Sequence, residues 1–302
     1  MTNRLLVVGS VALDDLKTRA GHRTEVLGGA ATYISIAASR FCPVDLVAVV
    51  GSDFPRKHVQ LLEERQIDLS GLERAEGRTF RWAGEYAEDF SSRATLSTEL
   101  GVFEHFNPNL PRNYRGNRFV LLGNIHPGLQ LKVLDQLEPG AFVAADTMNL
   151  WIDFTPTELD ELISRVNLLI INDEEAHQLT GKRQVAVAAQ ELLERGPELL
   201  VIKRGEHGAY LFARDTLFFA PALPLPEVVD PTGAGDTFAG GLMGIVAAAG
   251  TTDTTTIKKG MMYGAASASR AVEGFGADFL AATSREAIEE RYHELVSLVS
   301  LD

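Results

Sequence analysis

Val228-Val229-Asp230-Pro231-Thr232-Gly233-Ala234-Gly235-Asp236-Thr237-Phe238-Ala239-Gly240-Gly241 is the stretch that decides how this chain reads. It reads as a β run, then a turn built on glycines, then the start of a helix of small and apolar residues. Backbone amides at a helix start have no partner inside the helix, and the aligned peptide dipoles place about half a positive charge there. Glycine at 233 and 235 lets the main chain approach a bound group with no Cβ in the way. The turn is therefore expected to hold an anion. Two common phosphate loops are excluded: no GxxxxGK[ST] occurs, and Phe238 stands where a GxGxxG fingerprint needs its last glycine. Asp236 is the odd member, because a carboxylate repels the anion that the turn is built for. Either it caps and charges the helix start, or it is a general base that takes the proton from a hydroxyl attacking a phosphoryl group.

Outward from this turn, short apolar runs alternate with helical periods. Strands are expected at Leu5–Gly9, Leu46–Val50, Phe119–Leu122, Phe142–Ala145, Leu168–Ile171 and Leu199–Lys203. Such continuous apolar strands belong to a sheet covered on both faces, so the expected fold class is α/β with a mostly parallel sheet between helices. Thr155-Pro156-Thr157-Glu158 carries a capping signal, and Thr283 with Glu286 repeats it ahead of a final amphipathic helix. One region breaks the pattern. Phe80, Trp82, Gly84 and Tyr86, then Ala94, Leu96, Thr98 and Leu100, alternate with polar residues as half-covered antiparallel strands do. They are read as a β insertion that is a lid over a site, an oligomer contact or plain decoration, the lid being preferred because an exposed aromatic face needs cover. With no repeat or linker, residues 1–302 are read as a single domain with lid segments at about 10–27 and 76–106.

Composition narrows the partners. Of 302 residues 45% are apolar, and 28 basic against 41 acidic side chains give a net charge of −13. That balance argues against nucleic acid or an anionic membrane surface as partner. Cys42 is the single cysteine, so no internal disulfide or CxxC site exists, and a reducing cytoplasm is expected. The seven histidines show no HExxH spacing, which argues against a zinc centre. Arg4 and the apolar run Leu5 to Leu13 look like a short signal sequence, but Asp14 and Asp15 follow without a cleavage pattern, so a buried first strand is expected. The longest other apolar run, Ala239 to Gly250, is too short to span a membrane.

The residues from Asp230 to Gly241 closely resemble the signature of the ribokinase-like (PfkB) carbohydrate kinases. Gly28-Gly29-Ala30-Ala31-Thr32-Tyr33 resembles the family's N-terminal double-glycine motif, and Asn172-Asp173-Glu174-Glu175 its NxxE motif, in the expected order across nearly the whole chain. The resemblance implies a three-layer αβα, doubly wound kinase domain with a small β lid, using ATP and Mg²⁺. It implies γ-phosphoryl transfer to a hydroxymethyl group of a small sugar or, as the alternative, of a nucleoside of the adenosine, inosine or cytidine type. By the same resemblance Asp236 is the base, and the amides of Gly233, Ala234 and Gly235 are the anion hole. Asn172 and Glu175 reach Mg²⁺ through water, as suits a hard ion that keeps its waters. Lys203, Gly205, Gly208 and Thr232 lie near the ATP phosphates and ribose, and Tyr263 stands near where relatives put asparagine or histidine beside the adenine. Lys203 replaces a small hydroxyl residue, and is either a charge on the β-phosphate or a surface lysine. Asp230 and Thr232 match a monovalent cation site, such as one for K⁺, in some members.

On the substrate side the resemblance implies that Asp14, Gly28 and Gly29 hold sugar hydroxyls. Tyr33 replaces an asparagine of sugar-specific relatives, and Asn124 a glutamate of ribokinases. The aromatic set Tyr33, Phe80 and Trp82 suits a nucleobase or a sugar face, and the sugar is preferred. A homodimer through the edge of the β lid is expected as well. Two other classes fit less well. A non-catalytic sensor would have lost Asp236 or a motif glycine, and a Rossmann oxidoreductase needs a glycine spacing that Gly9-Ser10-Val11-Ala12-Leu13-Asp14 lacks.

Overall fold

Neither face of the six apolar runs suits water, and in the computed structural model, which describes residues 3–90 and 92–301, all six are strands of one sheet. Among these residues the strands in chain order are β1 Leu5–Val8, β2 Ala12–Thr18, β3 Gly21–Gly28, β4 Val44–Gly51, β5 Ile67–Ala75, β6 Arg81–Tyr86 and β7 Arg93–Glu99. They continue with β8 Phe119–Leu122, β9 Phe142–Asp146, β10 Leu168–Asn172, β11 Leu199–Lys203, β12 Ala209–Ala213 and β13 Thr216–Ala220. The large sheet runs β13-β12-β11-β10-β9-β8-β1-β4-β5, parallel from β11 to β5, with β12 and β13 added antiparallel at one edge.

Successive residues of a strand point to opposite faces, and each strand accordingly feeds two cores. Leu5 and Val7 enter one core with the helices Ala30–Ala38, Ala234–Ala249 and Thr254–Ala271, while Leu6 and Val8 enter the other with Leu159, Leu162 and Ala188. This is the three-layer αβα arrangement. Strands β5, β12 and β13 escape a search for apolar runs because they lie at the sheet's margins and are half exposed.

The smaller sheet has the order β3-β2-β6-β7. The alternating segments supply β6 and β7, which pair antiparallel. β2 and β3 come from the chain just after β1, and β2 lies parallel to β6. Every residue of the outer strand β7 is exposed. Phe80 precedes β6 and stacks on Phe103, with ring centroids 5.4 Å apart.

Three local expectations are corrected. Val228 and Val229 form no strand; Val229 instead donates its amide to Val272 O at 2.8 Å, tying the approach to the turn to the far end of the helix Thr254–Ala271. Thr155 stands at the helix start, but its hydroxyl donates back to Trp151 O at 3.0 Å instead of capping. The last helix is capped by Ser284, which accepts from the Ala287 amide at 3.2 Å, while the Thr283 hydroxyl donates to Phe279 O.

Candidate active site

The parallel strands β9, β10 and β11 finish side by side at Asp146, Asn172 and Lys203. Open α/β sheets bind ligands at this carboxyl edge. Asp146 is only 5% exposed, and Lys203 Nζ lies 3.2 Å from its Oδ2. The glycine turn closes over them from the opposite side, and a Cβ on Gly235 would stand 3.1 Å from Lys203 Nζ. Asp236, in the first turn of the helix Ala234–Ala249, is half-buried beside this pair. Burial and the charge of Asp146 push its carboxyl up to about 7, against the pull of Lys203 and Arg93. Burial and Asp146 likewise push Glu175 up to about 7. Burial pulls Lys203 down, but Asp146, Glu175 and Asp236 outweigh it, and its ammonium is held above the ordinary lysine value. Three carboxylates thus surround one lysine.

In the turn itself, Gly233 takes φ 73°, a left-handed conformation that suits glycine, and a Cβ there would overlap the Tyr33 ring. Thr237 donates its amide to Gly233 O at 2.8 Å, and Ala234 gives its own to Pro231 O at 3.2 Å. Of the three amides expected in the anion hole, that of Ala234 thus has a backbone acceptor. Within the turn Thr232–Asp236, among the described residues, the amides of Gly233 and Gly235 have no acceptor, while Thr232 gives its own to Asp230 and Asp236 to its own carboxylate. Asp230 braces the turn from below. It is 1% exposed, and its two oxygens accept the amides of Thr232 at 2.9 Å and Gly276 at 3.0 Å.

Asn172 and Glu175 form a reciprocal capping box at the start of the helix Asp173–Thr180: Asn172 Oδ1 accepts the Glu175 amide at 2.7 Å, and Glu175 Oε2 the Asn172 amide at 2.8 Å. Glu175 is nevertheless buried, 9% exposed, so capping does not account for the cost of placing its charge there. Mg²⁺ and a nucleotide fit this chemistry. The carboxylates exceed the cations, the Gly233 and Gly235 amides lack partners, and the missing Cβ of Gly235 leaves room beside the Lys203 ammonium. Among the described residues no three His, Cys, Asp or Glu side chains stand close enough to chelate a metal directly, so coordination through water suits these residues.

Asp14 on β2 lies on the lid side of the turn. It is 4% exposed, accepts the Gly29 amide, and keeps Oδ1 buried without a partner. Burial first, then the charges of Asp230, Asp15 and Asp236, push its carboxyl up to about 8. Gly28 is obligatory beside it, because a Cβ there would overlap the Asp14 carboxylate. Gly29, with φ 91°, begins the helix Ala30–Ala38. On that helix the Tyr33 ring supports Gly233, and its buried hydroxyl has no partner. Asn124 follows β8 and bonds to Trp151.

Not every expected residue joins this cluster. Tyr263 packs between helices: its hydroxyl donates to Glu289 at 2.5 Å and its ring stacks on Tyr292 with centroids 4.2 Å apart. Phe80 belongs to the stack on Phe103. Gly205 and Gly208 shape the loop from β11 to β12, where Arg204 donates its amide to Gly208 O at 2.8 Å. Conversely, sequence reasoning missed Asp146, although a charge directly after the apolar run Phe142–Ala145 was a usable signal. It also missed two lid contacts. The Thr232 hydroxyl donates to Tyr86 Oη at 2.9 Å, and Thr18 to Val229 O at 2.8 Å. Arg93 on β7 bonds Tyr86, lies 5.1 Å from the Trp82 ring centroid, and adds its charge near Asp236.

Comparison with known proteins identifies the family. The family described as pfkB family carbohydrate kinase matches residues 3–283. A protein named cytidine kinase from Thermococcus kodakarensis is 34% identical over 253 residues, covering 79% of this chain and 87% of that one. Among solved structures, the Methanocaldococcus jannaschii nucleoside kinase, an archaeal member of the ribokinase family, superposes with a TM-score of 0.79 at 22% identity, over 97% of this chain and 99% of that one. An Escherichia coli protein assigned as a ribokinase II, solved with ATP and Mg²⁺, reaches 0.82 at 16% identity over 97% and 99%. The chain thus belongs to the pfkB family of carbohydrate kinases and is a phosphotransferase that acts on an alcohol group.

Proposed function

We propose that the protein transfers the γ-phosphoryl group of ATP to the hydroxymethyl group of a nucleoside. The observation that carries phosphoryl transfer is Asp236, a carboxyl raised to about 7 beside the unpaired amides of Gly233 and Gly235 and beside Lys203. It takes the proton of the attacking hydroxyl as the bond to phosphorus forms. The amides of Gly233 and Gly235, with the Lys203 ammonium, lie where charge develops on the transferred group. Asp14, held by the Gly29 amide, orients the sugar hydroxyls through its unpartnered Oδ1. Bound Mg²⁺ supplies charge neutralisation at the phosphates, with Asn172 and Glu175 as its partners through water. The lid sheet, tied to the turn through Tyr86 and Thr18, excludes water that would otherwise compete as acceptor.

The sequence alone favours a sugar; the relatives named cytidine kinase and nucleoside kinase shift the choice to a nucleoside. Screening ADP release with cytidine, adenosine, inosine, ribose and fructose tests it. Turnover restricted to free sugars refutes the nucleoside, and none with any acceptor revives the sensor. The same assay with K⁺ replaced by a bulky organic cation tests Asp230 and Thr232 as a monovalent cation site. We further read the exposed edge strand β7, with Leu96 59% exposed, as the contact of a homodimer, which light scattering tests. The buried Cys42, its thiol pushed up to about 12 by burial, suits a reducing cytoplasm.

A further inference from the structure

Asn124 stands at the sheet edge between the double-glycine turn and Asp146. The Gly123 amide donates to Val8 O at 2.8 Å, a Cβ on Gly123 would lie 3.5 Å from that of Ala30, and Gln130 Nε2 bridges Gly123 O and Asp146 O at 3.0 Å each. The Asn124 side chain meets the short helix Asn149–Phe154 and the residue before it. Trp151 Nε1 donates to Asn124 Oδ1 at 2.8 Å, and Asn124 Nδ2 donates to Met148 Sδ at 3.1 Å. An indole N–H donates and never accepts. Turning the Asn124 amide over would set two donors face to face, so Trp151 fixes which way the amide points. His126 packs on the same indole with centroids 5.2 Å apart, which holds the ring in place. The outcome is one-sided. The amide oxygen is satisfied, while one N–H meets a thioether, a weak acceptor, and the other has no partner among the described residues.

The geometry points to Asn124 as a specificity-determining donor, with Trp151 as its positioning residue: the site selects substrates that bring a carbonyl oxygen or an unprotonated ring nitrogen of a nucleobase to Asn124 Nδ2. This inference rests on the nucleoside-kinase reading and narrows it. The carbonyl and ring nitrogen of a pyrimidine such as cytosine meet the requirement. A base presenting an amino group there opposes donor to donor, and a free sugar forgoes the bond.

Steady-state kinetics with cytidine on the wild type, Asn124→Asp and Trp151→Phe test this. Asn124→Asp replaces the N–H₂ by an oxygen of similar size, and kcat/KM for cytidine falls about ten- to a hundredfold, mainly through KM, with the KM for ATP unchanged. Trp151→Phe keeps the ring against His126 but releases the amide, and gives a smaller fall of the same kind. An unchanged cytidine KM in Asn124→Asp, or a loss shared equally by ATP, overturns the inference. Absence of nucleoside turnover in the wild type instead refutes the underlying nucleoside reading, and this one with it.

Discussion

Replacing Asp14 by asparagine should stabilise the protein at neutral pH while disabling it. The Asp14 carboxyl goes from an ordinary value of 3.8 to about 8 because it is buried and faces Asp230, Asp15 and Asp236. Between those values the unfolded chain has lost the proton and the folded chain keeps it, so the folded state binds more protons. Stability is then fully present below about pH 4 and is lost as pH rises toward 8, at about 1.4 kcal/mol per pH unit. From pH 4.5 to pH 7.5 that comes to about 4 kcal/mol through this one group. Asparagine has no proton to lose there and escapes the penalty. Urea unfolding of wild type and Asp14→Asn at pH 4.5, 6.0 and 7.5 measures it. The advantage of the variant should grow with pH by about that amount, whatever constant offset the substitution brings. A difference that stays flat across the three pH values would refute the claim that Asp14 is held protonated. Loss of acceptor binding in the same variant would mark the burial as a cost accepted for function.

Asp236→Asn should keep ATP binding by calorimetry and lose about 10²–10⁴-fold in kcat. Because the base must be deprotonated and lies near 7, wild-type kcat should rise with pH through that value; a flat profile counts against the role. Gly233→Ala should lower the melting temperature more than Gly140→Ala. Both have positive φ, 73° and 95°, but the first adds an overlap with the Tyr33 ring and the second meets open space; equal shifts would show that the turn does not rest on Tyr33. Tyr86→Phe removes the acceptor of the Thr232 hydroxyl. It should raise ADP release without acceptor several-fold, and unchanged leakage would detach the lid from water exclusion.

Much of this was legible in the chain. The large sheet was, because a strand buried on both faces must be apolar throughout, and Phe119–Leu122 and Leu199–Lys203 were placed to the residue. Marginal strands β12 and β13 were not, since half-exposed positions leave no such constraint. In the site, Asp236, the glycines and Asp14 were legible by motif, while Asp146, Arg93 and the Trp151–Asn124 pair were not. The last pair spans 27 positions and depends on a helix whose own pattern is weak.

The sequence by itself determined the glycine turn at a helix start and the two-sided sheet, because glycine spacing, helix-start amides and strand hydrophobicity act within a few residues. Tertiary structure alone decided which amides of the turn remain free, that Lys203 is held by Asp146, and that Tyr263 packs against Tyr292 and bonds Glu289. Charge and desolvation act across space, between β9, β11 and the turn, and no local pattern encodes which of these segments meet.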